Sequence, residues 1–396
     1  MPVDLRALPE KLPLPAPLRH RRWCLMVLLG AMLVGALVAL LWPQGHWQTS
    51  LWFWCCVVIL PVIPGLLIYA LRLLAYERHS DYAQSWNRSL EEQEQVLVRQ
   101  GQRTVGLLAT SYCTAVGNNL IAQALRLGSK SLQPVYLKSQ AQTMRLSQLV
   151  PYVQEHTQAE YAQRLALYLR QVLAGLEPDL QRYVRDQPLR VRIRHNQVLS
   201  DEKVLSLWRL ARQNEQSDDQ VFFATQDDGL MWLDAWLDQP ERYRLLLSLE
   251  INLFLEPVSE QAESVSAVLL ASADECAVQT FVPTAWVHRP VRMDDPDLAL
   301  KDAFLWGRLL ESQAYMTWLT QIPGEVWCDA SIVLSTLGYP LDVARCHTLD
   351  DSFGLPGAAV GNVALVLAGE QAHADRQAQV VMLQDTGAQV FVVQPV

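Results

Sequence analysis

Two uncharged apolar stretches near the N-terminus restrict the folds open to this chain more than any other feature. Residues 23–42, WCLMVLLGAMLVGALVALLW, and 51–71, LWFWCCVVILPVIPGLLIYAL, contain no Asp, Glu, Lys or Arg. About twenty apolar residues suffice for a helix to cross the hydrocarbon core of a bilayer. The pair therefore predicts two spans, Trp23 to Trp42 and Leu51 to Leu71, joined by the short loop PQGHWQTS. Pro61 and Pro64 would kink the second span, which is tolerated where neighbouring groups satisfy the freed backbone. A cleaved signal peptide is the competing reading of the first span, but no small-residue cleavage site follows it and a second span begins at once.

Charge sets the expected orientation. Arg19, Arg21 and Arg22 precede the first span and Arg72 and Arg78 follow the second, whereas the loop has neither Lys nor Arg. The positive-inside rule then places both termini and the main domain in the cytoplasm, with only the loop outside. Trp23, Trp42, Trp47, Trp52 and Trp54 stand where indoles favour the headgroup level. The expected organisation is a proline-rich tail at 1–22, a transmembrane hairpin at 23–75, a polar connector at 76–103 that is helical in part, and a cytoplasmic domain at 104–396. That domain admits a division into two lobes near 220–260. The tail segment LPEKLPLPAPL is expected to be extended and to act as a spacer.

The chain as a whole is acidic: 32 Lys and Arg against 41 Asp and Glu give a net charge of −9. That balance lacks the basic footprint of a nucleic-acid-binding protein. The seven cysteines, at 24, 55, 56, 113, 276, 328 and 346, include no CxxC pair, which removes the usual zinc spacings and any disulfide framework. No metal or cofactor is expected.

Strand and helix signals alternate along residues 104–396, predicting α/β layers. TVGLLATSYC (104–113) reads as a buried strand, and GNNLIAQALRLG as a helix capped by Asn118 or Asn119 and closed by Gly128. Residues 156–185 carry the three-and-four spacing of a long amphipathic helix. PLRVRIRH alternates Val191 and Ile193 with Arg190, Arg192 and Arg194, a pattern read as a strand whose arginine face is solvated, in preference to an anion site. DGLMWLDAWLDQPERY is helical, and its tryptophans are read as core ahead of a partner surface. RLLLSLEINLF and ESVSAVLLAS are strands. KDAFLWGRLLESQ is a helix, SIVLSTLGY a strand or strand-turn, and AQVVMLQD and AQVFVVQPV flank a TGAQ turn. No short internal repeat is visible.

The stretch DDSFGLPGAAVGNVALVLAG (350–369) is the sharpest functional signal. Its GxxGxxxG spacing, with no following lysine, fits neither a dinucleotide fingerprint nor a P-loop. The run from Leu355 to Ala368 is too short to span a membrane. What remains is a helix start at which Gly354, Gly357 and Gly361 permit close backbone approach. RCHTLDD gathers Cys346, His347, Asp350 and Asp351, although adjacent Cys and His side chains on a strand face opposite ways.

SFGLPGAAVGNVALVLA resembles the glycine- and alanine-rich helix start near the C-terminus of thiolase-fold condensing enzymes, the β-ketoacyl synthases. AESVSAVLLA is similar to the strand after their GExA-type turn. In that family the segment commonly reads GHTxGAAG, and aligning GAA with Gly357 to Ala359 puts Gly354 where the histidine stands. The family's nucleophilic cysteine lies at a strand-to-helix turn. Cys113 in ATSYCTAVGNNLIAQAL matches that pattern superficially but is read in preference as a core-strand cysteine.

The resemblance implies an α/β, thiolase-like layered domain that has lost its catalytic histidine. With its hairpin, the chain looks like a degenerate thiolase-like accessory protein of bacterial type VI secretion, similar to the membrane-anchored lipase adapter family. That likeness implies a non-enzyme at the bacterial inner membrane, binding a secretion effector in the cytoplasm and assisting its loading onto a VgrG spike. The alternatives are an immunity protein that neutralises a type VI toxin, and a membrane-associated acyltransferase or condensing enzyme working through Cys113 and His347.

Overall fold

The computed structural model describes residues 3–42, 51–137, 141–153, 156–184, 189–212, 219–224, 228–311 and 313–396. The expected outer loop, with Trp47, lies outside these residues. The chain forms two compact units, Asp4–Leu97 and Val98–Val396.

In the N-terminal unit, α1 (His20–Leu41) is followed by α2 (Leu51–Trp54), a π-helical turn (Cys55–Ile59) and α3 (Leu60–Gly101). Both apolar segments lie in helices long and apolar enough to cross a membrane, with mean hydropathy 2.8 and 2.4 in their most apolar windows. They touch through small residues, the usual device where no hydrophobic force separates helix from lipid. A Cβ on Gly35 would stand 2.6 Å from the Val57 carbonyl oxygen, and one on Gly65 would stand 2.8 Å from Val27 Cγ1. Pro61 has no N–H to offer the carbonyl four residues back, and that carbonyl is Val57, the one Gly35 approaches.

The expected connector is not a partly helical link. α3 continues through it without a break to Gly101. The tail docks on this stretch of α3 through polar contacts. The Leu12 amide donates to Asn87 Oδ1 (2.8 Å), Asn87 Nδ2 returns a bond to the Leu12 carbonyl (2.9 Å), and Lys11 pairs with Glu91 (3.0 Å). Ala83 and Leu90 are buried on α3. The tail is docked on α3 and is not a free spacer.

The second unit is built twice. Its first half runs β1 (Thr104–Thr114), α4 (Ile121–Arg126), a hairpin of β2 (Gln133–Leu137) and β3 (Gln142–Leu146), then α5 (Gln158–Tyr183), β4 (Arg190–His195), α6 (Asp201–Arg212), β5 (Gln220–Phe223), α7 (Met231–Asp238), β6 (Leu245–Asn252) and β7 (Ser264–Ser272). After α8 (Ala273–Gln279) the pattern recurs as β8 (Ala285–His288), β9 (Val291–Arg292), α9 (Pro296–Trp306), β10 (Tyr315–Thr320), α10 (Gly324–Thr336), β11 (Cys346–Thr348), α11 (Val360–Asp375), β12 (Ala378–Gln384) and β13 (Ala388–Pro395).

Strand order exposes the duplication. β5-β4-β6 and β11-β10-β12 are parallel trios; β7 and β13 join each antiparallel, and the lead strands β1 and β8 follow. The halves meet where β1 pairs antiparallel with β8, from Thr104 opposite His288 to Leu107 opposite Ala285. The change of half therefore falls at α8 and not at 220–260, because β6 completes the first trio and β7 extends the same half-sheet. No repeat was visible in sequence because the duplication is of elements and not of residues.

Three apolar clusters mark five layers. α5 and α6 pack on one side of the first half-sheet, α9 and α10 on one side of the second, and α7 and α11 lie between. α11 is buried along nearly its whole length. Small residues at its start and at Gly369, where a Cβ would stand 2.2 Å from Leu107 Cδ2, let it fit between the two half-sheets.

Three local expectations are corrected. The β4 arginines are not a uniformly solvated face: Arg192 is fully buried, while Arg190 and Arg194 are part-buried, because β4 sits mid-sheet and a parallel strand in α/β layers is covered on both faces. SIVLSTLGY lies in and just after helix α10, ended by Gly338 at φ +83°. α4 is not capped by Asn118 or Asn119. Leu120 precedes it at φ +51°, and the Ile121 and Ala122 amides donate to the Tyr112 hydroxyl and Glu370 Oε2.

Candidate functional site

In a layered α/β domain, chemistry gathers where strands hand over to helices at their C-terminal ends. Duplication makes the β5-to-α7 and β11-to-α11 turns equivalent, and the fold brings them together. Leu230, immediately before α7, is fully buried. Its Cδ2 would stand 3.1 Å from a Cβ on Gly361 in the first turn of α11.

A helix N-terminus offers unsatisfied amides that suit an anion or a developing oxyanion. Here the chain's own oxygens take the donors. At the first turn, the Gly229 amide donates to Asp385 Oδ2 (2.8 Å) and the Leu230 amide to Gln389 Oε1 (3.0 Å). At the second, the Gly357 amide donates to Gln321 Oε1 (2.9 Å), Ala358 to Asn252 Oδ1 (3.3 Å) and Asn362 to Glu250 Oε2 (2.7 Å).

A buried polar cluster supports this junction. Arg192 donates to Glu250 Oε1 (2.9 Å) and the Ser248 hydroxyl (3.0 Å), and its guanidinium lies 4.6 Å from the Trp232 ring centroid. Asn362 Nδ2 donates to the carbonyls of Ser248 (2.8 Å) and Ser266 (3.1 Å). These residues stitch β4, β6, β7 and α11 together. A single Glu inside the apolar strand RLLLSLEINLF was the signal that could have found the cluster, since such a charge needs a buried partner.

Gly354 adopts φ +94°, and a Cβ there would stand 3.1 Å from the Glu260 carbonyl and 3.4 Å from Ala262. The turn is clamped on both sides, with the Leu355 amide on the Glu260 carbonyl and the Ala262 amide on the Leu355 carbonyl. A side chain at the position aligned with the family's histidine would therefore be strained by the positive φ and tight against the Glu260 carbonyl. The equivalent first turn reads ATQDDGL and contains no cysteine.

The residues singled out for an enzymatic reading do not meet. Cys113 lies within β1, buried against the α5 layer, with its thiol donating to Gln171 Oε1 (3.3 Å). Burial pushes that thiol up to about 11, far from a thiolate at neutral pH. His347 sits on β11 at the sheet margin, five strand positions from β1. Its ring leans on Trp318, with centroids 5.2 Å apart, and burial pulls its pKa down. Burial raises Cys346, and it raises Asp350 against bonds from the Gln321 amide and the Thr320 hydroxyl. Among the described residues, no group of three or more His, Cys, Asp or Glu is placed to hold a metal. A cavity of about 270 Å³ lies at the opposite end of α7, lined by Arg103, Trp236 and Arg308 among others.

No family model and no curated relative matches the chain. Solved structures do. A β-ketoacyl synthase from Burkholderia phymatum STM815 aligns with 74% of this chain and all of its own, at 10% identity and TM-score 0.52. Ketosynthase twelve of the bacillaene polyketide synthase from Bacillus amyloliquefaciens aligns over 74% and 73%, at 9% and 0.54. An oxazolomycin ketosynthase domain from Streptomyces albus JA3453 aligns over 74% of each chain, at 9% and 0.53. At these identities the likeness concerns architecture alone: the α/β unit has the thiolase-like fold of the ketosynthases.

Proposed function

We propose that this chain is a membrane-anchored, non-catalytic adapter that binds a type VI secretion effector in the cytoplasm and assists its loading onto a VgrG spike. The observation that carries the non-catalytic part is the turn at Gly354, where glycine stands at φ +94° hard against the Glu260 carbonyl and a histidine would be strained. The occupied amides at both turns and the separation of Cys113 from His347 support it further. A condensing-enzyme scaffold whose reactive junction has become core retains its surfaces, and surfaces serve binding. The hairpin supports anchoring, and the arginines flanking it support a cytoplasmic domain. The secretion context rests on the sequence resemblance.

Affinity capture with the tagged full-length chain from the producing bacterium tests the reading. The expected result is co-recovery of an effector with VgrG, and loss of effector secretion on deletion. Recovery of a toxin without VgrG, with rescue of toxin-expressing cells, would instead make it an immunity protein. Covalent acylation of Cys113 by an acyl-CoA would overturn the non-catalytic assignment.

A further inference from the structure

The N-terminal unit contains a cavity of about 610 Å³ that the adapter reading does not use. It is formed within this unit alone, by the tail, the start of α1 and the middle of α3. Arg19, Arg22 and Arg72 line it together with His79, Trp23 and Tyr76, and Pro15 to Leu18 form one wall. No acidic residue lines it.

Three guanidiniums around one cavity repel one another unless an anion joins them. Guanidinium is suited to a phosphate because its N–H groups can bind two oxygens at once. The three arginines flank the two apolar segments, and Trp23 and Tyr76 are the amphipathic aromatics that settle at headgroup level. A free choline or ethanolamine would find no carboxylate here, so a zwitterionic headgroup gains nothing from its cationic end. The cavity wall is also built deliberately. Asn87 holds both backbone groups of Leu12, and Lys11 pairs with Glu91. These contacts lay the tail along α3, and the prolines after them keep it extended.

We infer that this cavity is a binding site for the phosphodiester headgroup of an anionic phospholipid, seated between Arg19, Arg22 and Arg72 beneath the proline-rich tail. The inference rests on reading the two apolar helices as membrane spans. Basic pockets at the cytoplasmic ends of spanning helices are a known way of holding anionic headgroups. The docked tail distinguishes this site from a simple positive rim, because it gives the lipid a wall as well as a field.

The test uses the full-length chain in a neutral detergent, titrated with dioctanoyl phosphatidylglycerol, dioctanoyl phosphatidylcholine or glycerol 3-phosphate, with adducts read by native mass spectrometry. Phosphatidylglycerol should bind at least tenfold better than phosphatidylcholine, a modest preference for a three-arginine site. Arg22→Gln with Arg72→Gln should weaken it about thirtyfold, the strength of two charges at an anionic surface. Asn87→Ala should weaken it with every arginine in place, and Arg78→Gln, outside the cavity, should not. Equal binding of the two lipids, or full binding by the double variant, would overturn the site. Glycerol 3-phosphate competing at equal concentration would reassign it to a soluble phosphate ester. Extraction of the protein from membranes by alkaline carbonate would overturn the spanning reading, and that result does not depend on the lipid titration.

Discussion

Arg192 on β4 and Glu250 on β6 form an ion pair of 2.9 Å in which both side chains have no solvent exposure. Glu250 also accepts the Asn362 amide at the start of α11. One carboxylate therefore neutralises a buried guanidinium and caps the central helix. Glu250→Ala strands the arginine and frees the amide, and should lower unfolding free energy by roughly 3–5 kcal/mol. Arg192→Met combined with Glu250→Leu should recover much of that loss. Guanidinium-chloride titration of the full chain, followed by tryptophan fluorescence, checks both; a stability unchanged in Glu250→Ala would show the pair to be dispensable.

Placing a histidine at Gly354, where the condensing enzymes that the stretch resembles carry one, should not create chemistry. Gly354→His places a side chain at φ +94° against the Glu260 carbonyl. The expected cost is about 1–3 kcal/mol, read as a lower melting temperature, with no condensation of acyl-CoA and malonyl thioesters. Turnover by this variant would mean that the junction can open, contrary to the closed geometry.

Cys113 should be inert at neutral pH. Its thiol, raised to about 11 by burial, should alkylate with iodoacetamide far more slowly than the exposed Cys328, as peptide mass spectrometry would record. Because the folded pKa lies above the ordinary thiol value of 9.0, the neutral thiol contributes stability that is complete below about pH 9 and lost as pH rises through about 11. Fast labelling of Cys113 at pH 7 would contradict its placement in the core.

His288 works in the opposite direction. Burial is the largest influence on it, opposed by its hydrogen bond with the Trp306 carbonyl at 2.8 Å, and together with Arg308 it brings the pKa from 6.5 down to about 4. The neutral ring thus contributes stability that is present above pH 6.5 and lost as pH falls through about 4. The loss amounts to roughly 3 kcal/mol. Denaturation midpoints of the wild type and His288→Asn between pH 7 and pH 4 should converge as the pH falls. Parallel pH profiles would remove His288 as the source.

The layered α/β class, the two apolar helices and most of the second half's elements were legible because their signals are local. AQVVMLQD and AQVFVVQPV became the β12–β13 hairpin, and the 156–185 pattern became α5. The glycine-rich stretch was legible as a helix start, and the absence of a histidine at Gly354 could be read by alignment alone. SIVLSTLGY misled because its branched residues favour strands in isolation, whereas Ala330 and Leu334 pack one turn apart in a helical core. The β4 arginines misled for a related reason. Alternation reports two faces of a strand, but not what covers each of them.

By itself, then, the sequence determined the apolar segments, their flanking charges, the alternation of elements and the identity of Gly354. Only the tertiary structure decided that the two turns meet, that Arg192 and Glu250 find each other across β4 and β6, and that Asp385 and Gln389 occupy the amides of α7. Hydropathy and turn chemistry act within a few residues and leave their mark on a short window. The satisfaction of a buried charge or a helix N-terminus depends on groups far apart in the chain, brought together only when the sheet is assembled.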